Sequence, residues 1–318
     1  MWAWQQPAPG RIQRIEHASP RQPAPGEVVV RYLVGGICGS DIPSFLGVTN
    51  VEFPHTGDVG APLHEIVGEV VASASERLAV GDRVVGTAWP AGLAEYSVLP
   101  DAQLHALGPG LDSAAAITAQ PLATVLYALD RMTLPSTAAV LGLGPMGLLF
   151  AHVLHDRGVH VTGVDRVDRS AQAAAFGLDT VVVSETREWA SALSHLADDA
   201  VERPELVLDV IGHDDAVLVD AVEGVRSFGQ LFSFGLPEET YAFPMRRFFR
   251  KTLTLRAGAT FEWPVYLAAA ERYLLDHPGL AAAYVTHELP VERAEEAFRL
   301  YAVPARDRLK VILTAPSA

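Results

Sequence analysis

Up to about residue 115 the chain carries short apolar runs separated by glycine and proline. The runs 27–31, 65–72, 83–87 and 94–99 are rich in valine, isoleucine and small residues, and they predict strands. The pairs Pro25-Gly26 and Gly81-Asp82 read as turns between them. Together they describe an irregular, barrel-like β unit.

Beyond residue 115 the period changes. Strand patterns at 138–143, 159–164, 180–183, 206–211, 230–234 and 252–257 alternate with helical patterns at 146–157, 169–176, 188–196 and 215–222. Such alternation predicts an α/β unit, a doubly wound parallel sheet with both faces covered by helices. The last 55 or so residues are mixed, with helices expected at 265–276 and 291–300 and a strand at 310–313. The alanine runs at 114–116 and 268–270 read as helix. No repeat or low-complexity tract occurs.

Composition narrows the classes. Hydrophobic residues make up 49% and charged residues 19% of 318, ordinary values for a globular chain and too apolar for disorder. The net charge of −14 disfavours nucleic acid and anionic membrane as partners. With Cys38 as the one cysteine, no intramolecular disulfide is possible, which agrees with a reducing, cytoplasmic setting. The first residues lack a signal-peptide core, and no stretch has the apolar length of a membrane span, so a cytoplasmic protein is expected.

The sharpest chemical signal is Gly142-Leu143-Gly144-Pro145-Met146-Gly147, set between a strand and a helix. Gly142 permits the tight turn, Gly144 lets a pyrophosphate approach the backbone, and Gly147 lets the helix pack on the strand. The free N–H groups at the start of that helix then hold phosphate. Asp165 closes the next strand about 20 residues on, where a carboxylate bonds ribose hydroxyls. Its charge favours NAD over NADP. Arg166 and Arg169 follow, placed to stack on adenine or to accommodate NADP.

At this point the chain resembles the medium-chain dehydrogenases/reductases of the zinc alcohol dehydrogenase type, closest to sorbitol, glucose and cyclitol dehydrogenases. The resemblance rests on Gly36-Ile37-Cys38-Gly39-Ser40-Asp41, His64-Glu65 with Gly68, Gly81-Asp82-Arg83-Val84, Ala94-Glu95-Tyr96 and Gln120-Pro121-Leu122-Ala123. The glycine loop, Thr286-His287 and Lys310-Val311 complete it. It spans nearly the whole chain. It implies a GroES-like catalytic domain at 1–120, a Rossmann dinucleotide-binding domain at 121–262, and a return to the catalytic domain at 263–318. It also implies an active site in the cleft between the domains, and a homodimer or homotetramer.

The same resemblance implies a catalytic zinc held by Cys38, His64 and Glu65, with Gln120 where relatives usually place a glutamate near the metal. Thiolate, imidazole and carboxylate are ligand types that zinc accepts. Spacing alone does not establish such a site, since Cys38 also reads as a small buried apolar residue and His64 as a core histidine. Gln120 and Leu63, which stands where relatives carry glycine, depart from the pattern. The four-cysteine lobe of the structural zinc has no counterpart, because only residues 87–93 separate Gly86 from Ala94 and none is cysteine.

Mechanistically, the resemblance makes Ser40 the hydroxyl that takes the alcohol proton, although Ser40 also reads as a turn cap. The histidine that often continues this relay is replaced by Pro43, leaving His55 or water to carry the proton onward. Asp41 is expected to fix its loop through backbone hydrogen bonds. Phe45, His55, Trp89, Phe261 and Trp263 read equally as cleft lining or packing. The run Arg246, Arg247, Arg250, Lys251 reads as a solvated helix face, and 252–260 as an edge strand open to pairing in a dimer.

The leading expectation is a zinc-dependent oxidoreductase passing hydride between NAD(P) and a secondary alcohol or ketone, of the polyol, sugar or cyclitol type. Two alternatives stand beside it. One is a zinc-independent quinone or enoyl reductase of the same superfamily, which Cys38 and His64-Glu65 argue against. The other is a non-catalytic dinucleotide-binding redox sensor, which the departures at Pro43, Leu63 and Gln120 keep open.

Overall fold

The computed structural model describes residues 1–48, 58–89, 91–237 and 239–316. They form two compact units, Met1–Thr124 with Phe261–Ala318, and Val125–Thr260.

The first unit opens with a hairpin of β1 (Trp2–Ala8) and β2 (Arg11–Glu16). Next come β3 (Glu27–Gly36), the short helix α1 (Asp41–Leu46), β4 (Glu65–Ser73), β5 (Arg83–Thr87), β6 (Tyr96–Pro100) and β7 (Leu104–Ala106). Helices α2 (Ser113–Ala116) and α3 (Ala119–Leu129) follow, and α3 contains the boundary between the units. A seven-stranded sheet runs through β3, β4, β5 and β7, with β6 also paired to β3. Val28, Val30 and Tyr32 share one face of β3, the face that meets the core with Ile66, Val84 and Leu104.

The second unit is a six-stranded parallel sheet. Its elements are β8 (Thr137–Leu141), α4 (Pro145–Asp156), β9 (His160–Asp165), β10 (Thr180–Val183), α5 (Thr186–Ala192) and β11 (Leu206–Asp209). It ends with α6 (Asp215–Gly224), β12 (Gln230–Ser233), α7 (Met245–Lys251) and β13 (Thr254–Ala257). The strand order β10-β9-β8-β11-β12-β13 puts β8 at the centre, where the chain reverses direction across the sheet. Strand β13 is the exposed edge.

The chain then returns to the first unit with α8 (Trp263–Asp276), α9 (Pro278–Tyr284), β14 (Val285–Pro290), α10 (Ala294–Ala302) and β15 (Lys310–Thr314). Strand β15 pairs antiparallel with β3, so the carboxyl-terminal strand completes the sheet begun by the first hundred residues.

Three expectations need correction. The helix expected at 169–176 is only a 3₁₀ turn at Ser170–Gln172, followed by turns up to Gly177 at φ +64°. The Leu178 N–H closes back on the Ala173 carbonyl and Gly177 turns left-handed against the His155 side chain, which ends the segment before a regular helix builds. Helix α5 stops at Ala192 rather than 196, because the Arg203 guanidinium takes the carbonyls of Leu193, Leu196 and Ala197. The basic run is not a fully solvated face. Arg246 and Arg250 are exposed, but Lys251 is buried and donates to the carbonyls of Val222, Glu223 and Val225 at the end of α6. Arg247 pairs with Asp198 and Glu223.

Candidate active site: a metal cluster and a dinucleotide loop

In the first unit, Cys38 lies just beyond β3, and His64 and Glu65 stand at the start of β4. Strands β3 and β4 are antiparallel neighbours, with Gly36 opposite Glu65, which brings the two stretches side by side. One ligand atom each from Cys38, His64 and Glu65 lies within 4.8 Å of the others. Among the described residues this is the one cluster of three or more such groups able to hold a metal ion.

Around the cluster, each side chain has a named support. The Asp41 carboxylate accepts the Cys38 N–H through Oδ2 at 2.8 Å and meets His64 Nδ1 through Oδ1 at 2.7 Å. The loop-fixing part was readable from sequence; the contact to histidine was not. With Nδ1 engaged, His64 presents Nε2 as its ligand atom. Burial disfavours the charged imidazole, yet the Asp41 carboxylate and Cys38 outweigh it and hold the His64 pKa well above its ordinary value. The Trp89 indole meets the His64 ring edge-on, with centroids 5.4 Å apart.

Glu65 is paired to Lys310 from β15, Nζ to Oε2 at 2.5 Å, and both side chains are 1% exposed. Lys310 Nζ also donates to the Ile37 carbonyl at 3.0 Å. Glu65 Oε1, in contrast, is buried without a hydrogen-bond partner. A thiol, an imidazole and a buried carboxylate oxygen without a hydrogen-bond partner make the three-ligand donor set of a catalytic zinc site, so the residues fit that ion. Nothing in the residues around Lys310 announces this pairing, because its partner lies far upstream, on β4.

The departures find places in the fold. Leu63 is fully buried in the core, and its methyls would stand 2.9 Å from a side chain at Gly35, so that glycine makes room for it. Gln120 is buried in the first turn of α3. Ser40 sits at the N-cap position of α1, but its hydroxyl makes no capping bond and is not spent on the helix. Phe45 is core packing against Phe298, and Phe261 is exposed. Trp263 is half-buried at the start of α8. His55 lies outside the described residues. Thr286 is structural: its hydroxyl donates to the Lys310 carbonyl and accepts from the Leu309 N–H.

In the second unit, the glycine loop joins β8 to α4. Gly142 has φ +92°, a conformation that side chains resist. A methyl at Gly147 would lie 1.8 Å from the Gly142 carbonyl oxygen, so the helix packs against the turn at a distance only glycine allows. Gly144 is the N-cap of α4 and has open space where a side chain would be. Pro145 supplies the fixed φ of the first helical turn, and half-buried Met146 follows. Asp165, at the end of β9, accepts the N–H of Leu143 at 2.6 Å and of Val167 at 2.7 Å. Each carboxylate oxygen keeps further acceptor capacity, which suits a ribose diol. Arg166 is exposed, whereas Arg169 is 3% exposed and turned into the fold. The open Gly144 and the aligned N–H groups of α4 fit a dinucleotide pyrophosphate.

Comparison with known proteins agrees with both parts. Residues 24–110 match the model of the alcohol dehydrogenase GroES-like domain, and residues 145–272 match that of the zinc-binding dehydrogenase. The chain is 26% identical to a sorbitol dehydrogenase of Halalkalibacterium halodurans over 92% of its own length and 93% of that protein. It is 26% identical to an erythritol/L-threitol dehydrogenase of Mycolicibacterium smegmatis, over 70% of this chain and 73% of that one. Among solved structures, the alcohol dehydrogenase TADH of Thermus sp. ATN1 superposes with a TM-score of 0.84 at 27% identity, covering 99% of this chain and 100% of that one. The chain belongs to the zinc-type alcohol dehydrogenase family of the medium-chain dehydrogenases/reductases, on the sorbitol dehydrogenase side. It is an enzyme of NAD(P)-linked oxidoreduction with the α/β fold of that family: a GroES-like unit and a parallel-sheet Rossmann unit. Among the described residues no helix is long and apolar enough to cross a membrane.

Proposed function

We propose that this protein is a zinc-dependent dehydrogenase that oxidises a secondary alcohol of a polyol, sugar or cyclitol with NAD, or reduces the matching ketone. The observation that carries the proposal is the Cys38, His64 and Glu65 cluster with its unsatisfied Glu65 oxygen. The polyol class rests on the sorbitol and erythritol/L-threitol dehydrogenases to which the chain is similar.

When bound, zinc supplies a Lewis acid for the substrate oxygen and the nicotinamide supplies the hydride acceptor. Cys38, His64 and Glu65 hold the metal, and Gln120 offers an amide to the substrate or to water. Asp41 keeps Nε2 of His64 pointed at the ligand position. Lys310 balances the Glu65 charge in a site where an unpaired carboxylate is expensive. Ser40 accepts the alcohol proton at Oγ and passes its own to water, since Pro43 occupies the place of a relaying histidine.

Gly142, Gly144, Pro145, Met146 and Gly147 seat the pyrophosphate, and Asp165 bonds the ribose hydroxyls and disfavours a 2′-phosphate. Exposed Arg166 is the arginine placed to cover the adenine, a role that buried Arg169 does not share. NADP is accepted only weakly in this reading, and no structural zinc is needed. The exposed edge of β13 pairs two copies into a dimer.

The test combines metal analysis of purified protein with NAD reduction on a panel of polyols. About one zinc per chain and NAD-linked turnover of at least one polyol support the proposal. A metal-free protein with full activity, as a quinone or enoyl reductase would be, contradicts it.

A further inference from the structure

Central strand β8 has β9 on one side and β11 on the other, and both neighbours end in an aspartate at the level of the glycine loop. Leu141 stands opposite Val164 in one register and opposite Asp209 in the other. Asp165 braces the loop from the β9 side through the Leu143 N–H. Asp209 acts on the other side. Asp209 is 3% exposed, and its Oδ1 accepts the N–H groups of Ile211 at 3.0 Å and Gly212 at 3.1 Å.

Those bonds fix a tight corner. Gly212 and His213 both have positive φ, +69° and +59°, the second in a region that side chains seldom enter. The corner presses on the chain after β12: a methyl at Gly212 would lie 2.5 Å from the Gly235 carbonyl carbon, and the His213 N–H bonds the Leu236 carbonyl at 3.0 Å. The Asp209 carbonyl in turn accepts the N–H groups of Phe234 and Gly235. On its other side the corner reaches the glycine loop itself, since a methyl at Gly142 would stand 2.7 Å from Ile211 Cγ1. One buried residue thus holds the chain ends after β11 and β12 and sets Ile211 against the turn of the dinucleotide loop. Burial raises the Asp209 pKa, against the lowering effect of the two N–H groups it accepts.

We infer that Asp209 is a positioning residue for the dinucleotide, bracing the Ile211–His213 corner so that the Gly142 turn keeps its cofactor-binding shape. The inference rests on the dinucleotide reading proposed above. It concerns acceptor geometry rather than charge, so an amide should replace the carboxylate and an apolar isostere should not.

The experiment measures NADH binding by fluorescence titration on the intact chain, with circular dichroism to confirm folding and kcat at saturating cofactor. Asp209→Leu is expected to raise the NADH Kd about tenfold, with kcat within about threefold of the parent. Asp209→Asn is expected to bind within about threefold of the parent. If Asp209→Leu does not fold, Asp209→Ser takes its place, because its hydroxyl bonds the same turn more weakly and should show an intermediate loss. A folded Asp209→Leu or Asp209→Ser that binds NADH as the parent does overturns the inference, as does an Asn variant as weak as the Leu variant. A parent protein that fails to bind NADH overturns the dinucleotide reading and this inference with it. Normal parent binding with unaffected variants overturns this inference alone.

Discussion

In the proposed function the glycine loop and the Cys38, His64 and Glu65 cluster solve the same problem, holding a charged group without side-chain slack, by opposite means. The loop is six consecutive residues whose function lies in missing side chains: Gly142 supplies a backbone turn and Gly147 a contact distance. The cluster gathers Cys38, His64 and Glu65 from two strands and their flanks, and then needs two buried charges, Asp41 of the Cys38 loop to orient His64 and Lys310 from β15 to offset the Glu65 charge. A local device fails by crowding. A non-local one fails by leaving a charge unpaired.

The largest effect should therefore fall on the cluster. Lys310→Met leaves Glu65 buried and unpaired, and is expected to destabilise the protein by about 3–5 kcal/mol, read from a denaturant titration. Replacing both partners, Lys310→Met with Glu65→Leu, should recover most of that loss while abolishing zinc binding. A single variant as stable as the parent would show that the ion pair is not part of the support.

Next in size is a contrast within the loop. Gly147→Ala drives a methyl into the Gly142 carbonyl and should cost about 3 kcal/mol of stability. Gly144→Ala meets nothing within 4 Å, so it should leave the melting temperature nearly unchanged and weaken NADH binding instead. Equal melting shifts in the two variants would break the account of the loop.

Asp41→Asn removes the carboxylate that orients His64 and raises its pKa. Zinc affinity, measured by competition with a chromogenic chelator, should fall about 10–100-fold, with a small change in stability. Unchanged affinity would demote Asp41 to a loop tie.

The smallest effect belongs to Lys251, whose ammonium is lowered to about 8, chiefly by burial and then by Arg203 and Arg247. A lysine depressed in the fold is lost as a proton binder there before it is lost in the unfolded chain. Its contribution to stability therefore rises as pH climbs from about 8 towards the ordinary lysine value. Lys251→Met should remove that rise. It should also cost about 2 kcal/mol at neutral pH, since three carbonyls lose their donor. A pH–stability curve identical to the parent's would contradict the assignment.

These same differences explain what the sequence showed. The glycine loop, Asp165 and the strands on either side are contiguous and periodic, so the chemistry of the second unit was readable from its own stretch. The cluster was visible only through its resemblance to a family, because nothing in the spacing of Cys38 and His64 places them together until β3 and β4 pair. Lys310, Asp209 and the contact between Asp41 and His64 carried no local signal, since each acts through a partner that only the fold brings close. The β1–β2 hairpin was not predicted although Pro9-Gly10 marks its turn: Trp2 and Trp4 are buried by tertiary packing against the first core, and the polar residues Gln5, Gln6, Arg11, Gln13 and Arg14 hide the apolar pattern of the two strands.

In the proposed function, NAD-linked alcohol oxidation depends on a zinc ion held by Cys38, His64 and Glu65. The decisive measurement removes zinc with a chelator, follows NAD reduction on a polyol panel, and then adds zinc back. About one zinc per chain, loss of turnover on chelation with NADH binding retained, and recovery with one equivalent of zinc are expected. Full polyol turnover by the zinc-free protein would rule the metal out of the reaction.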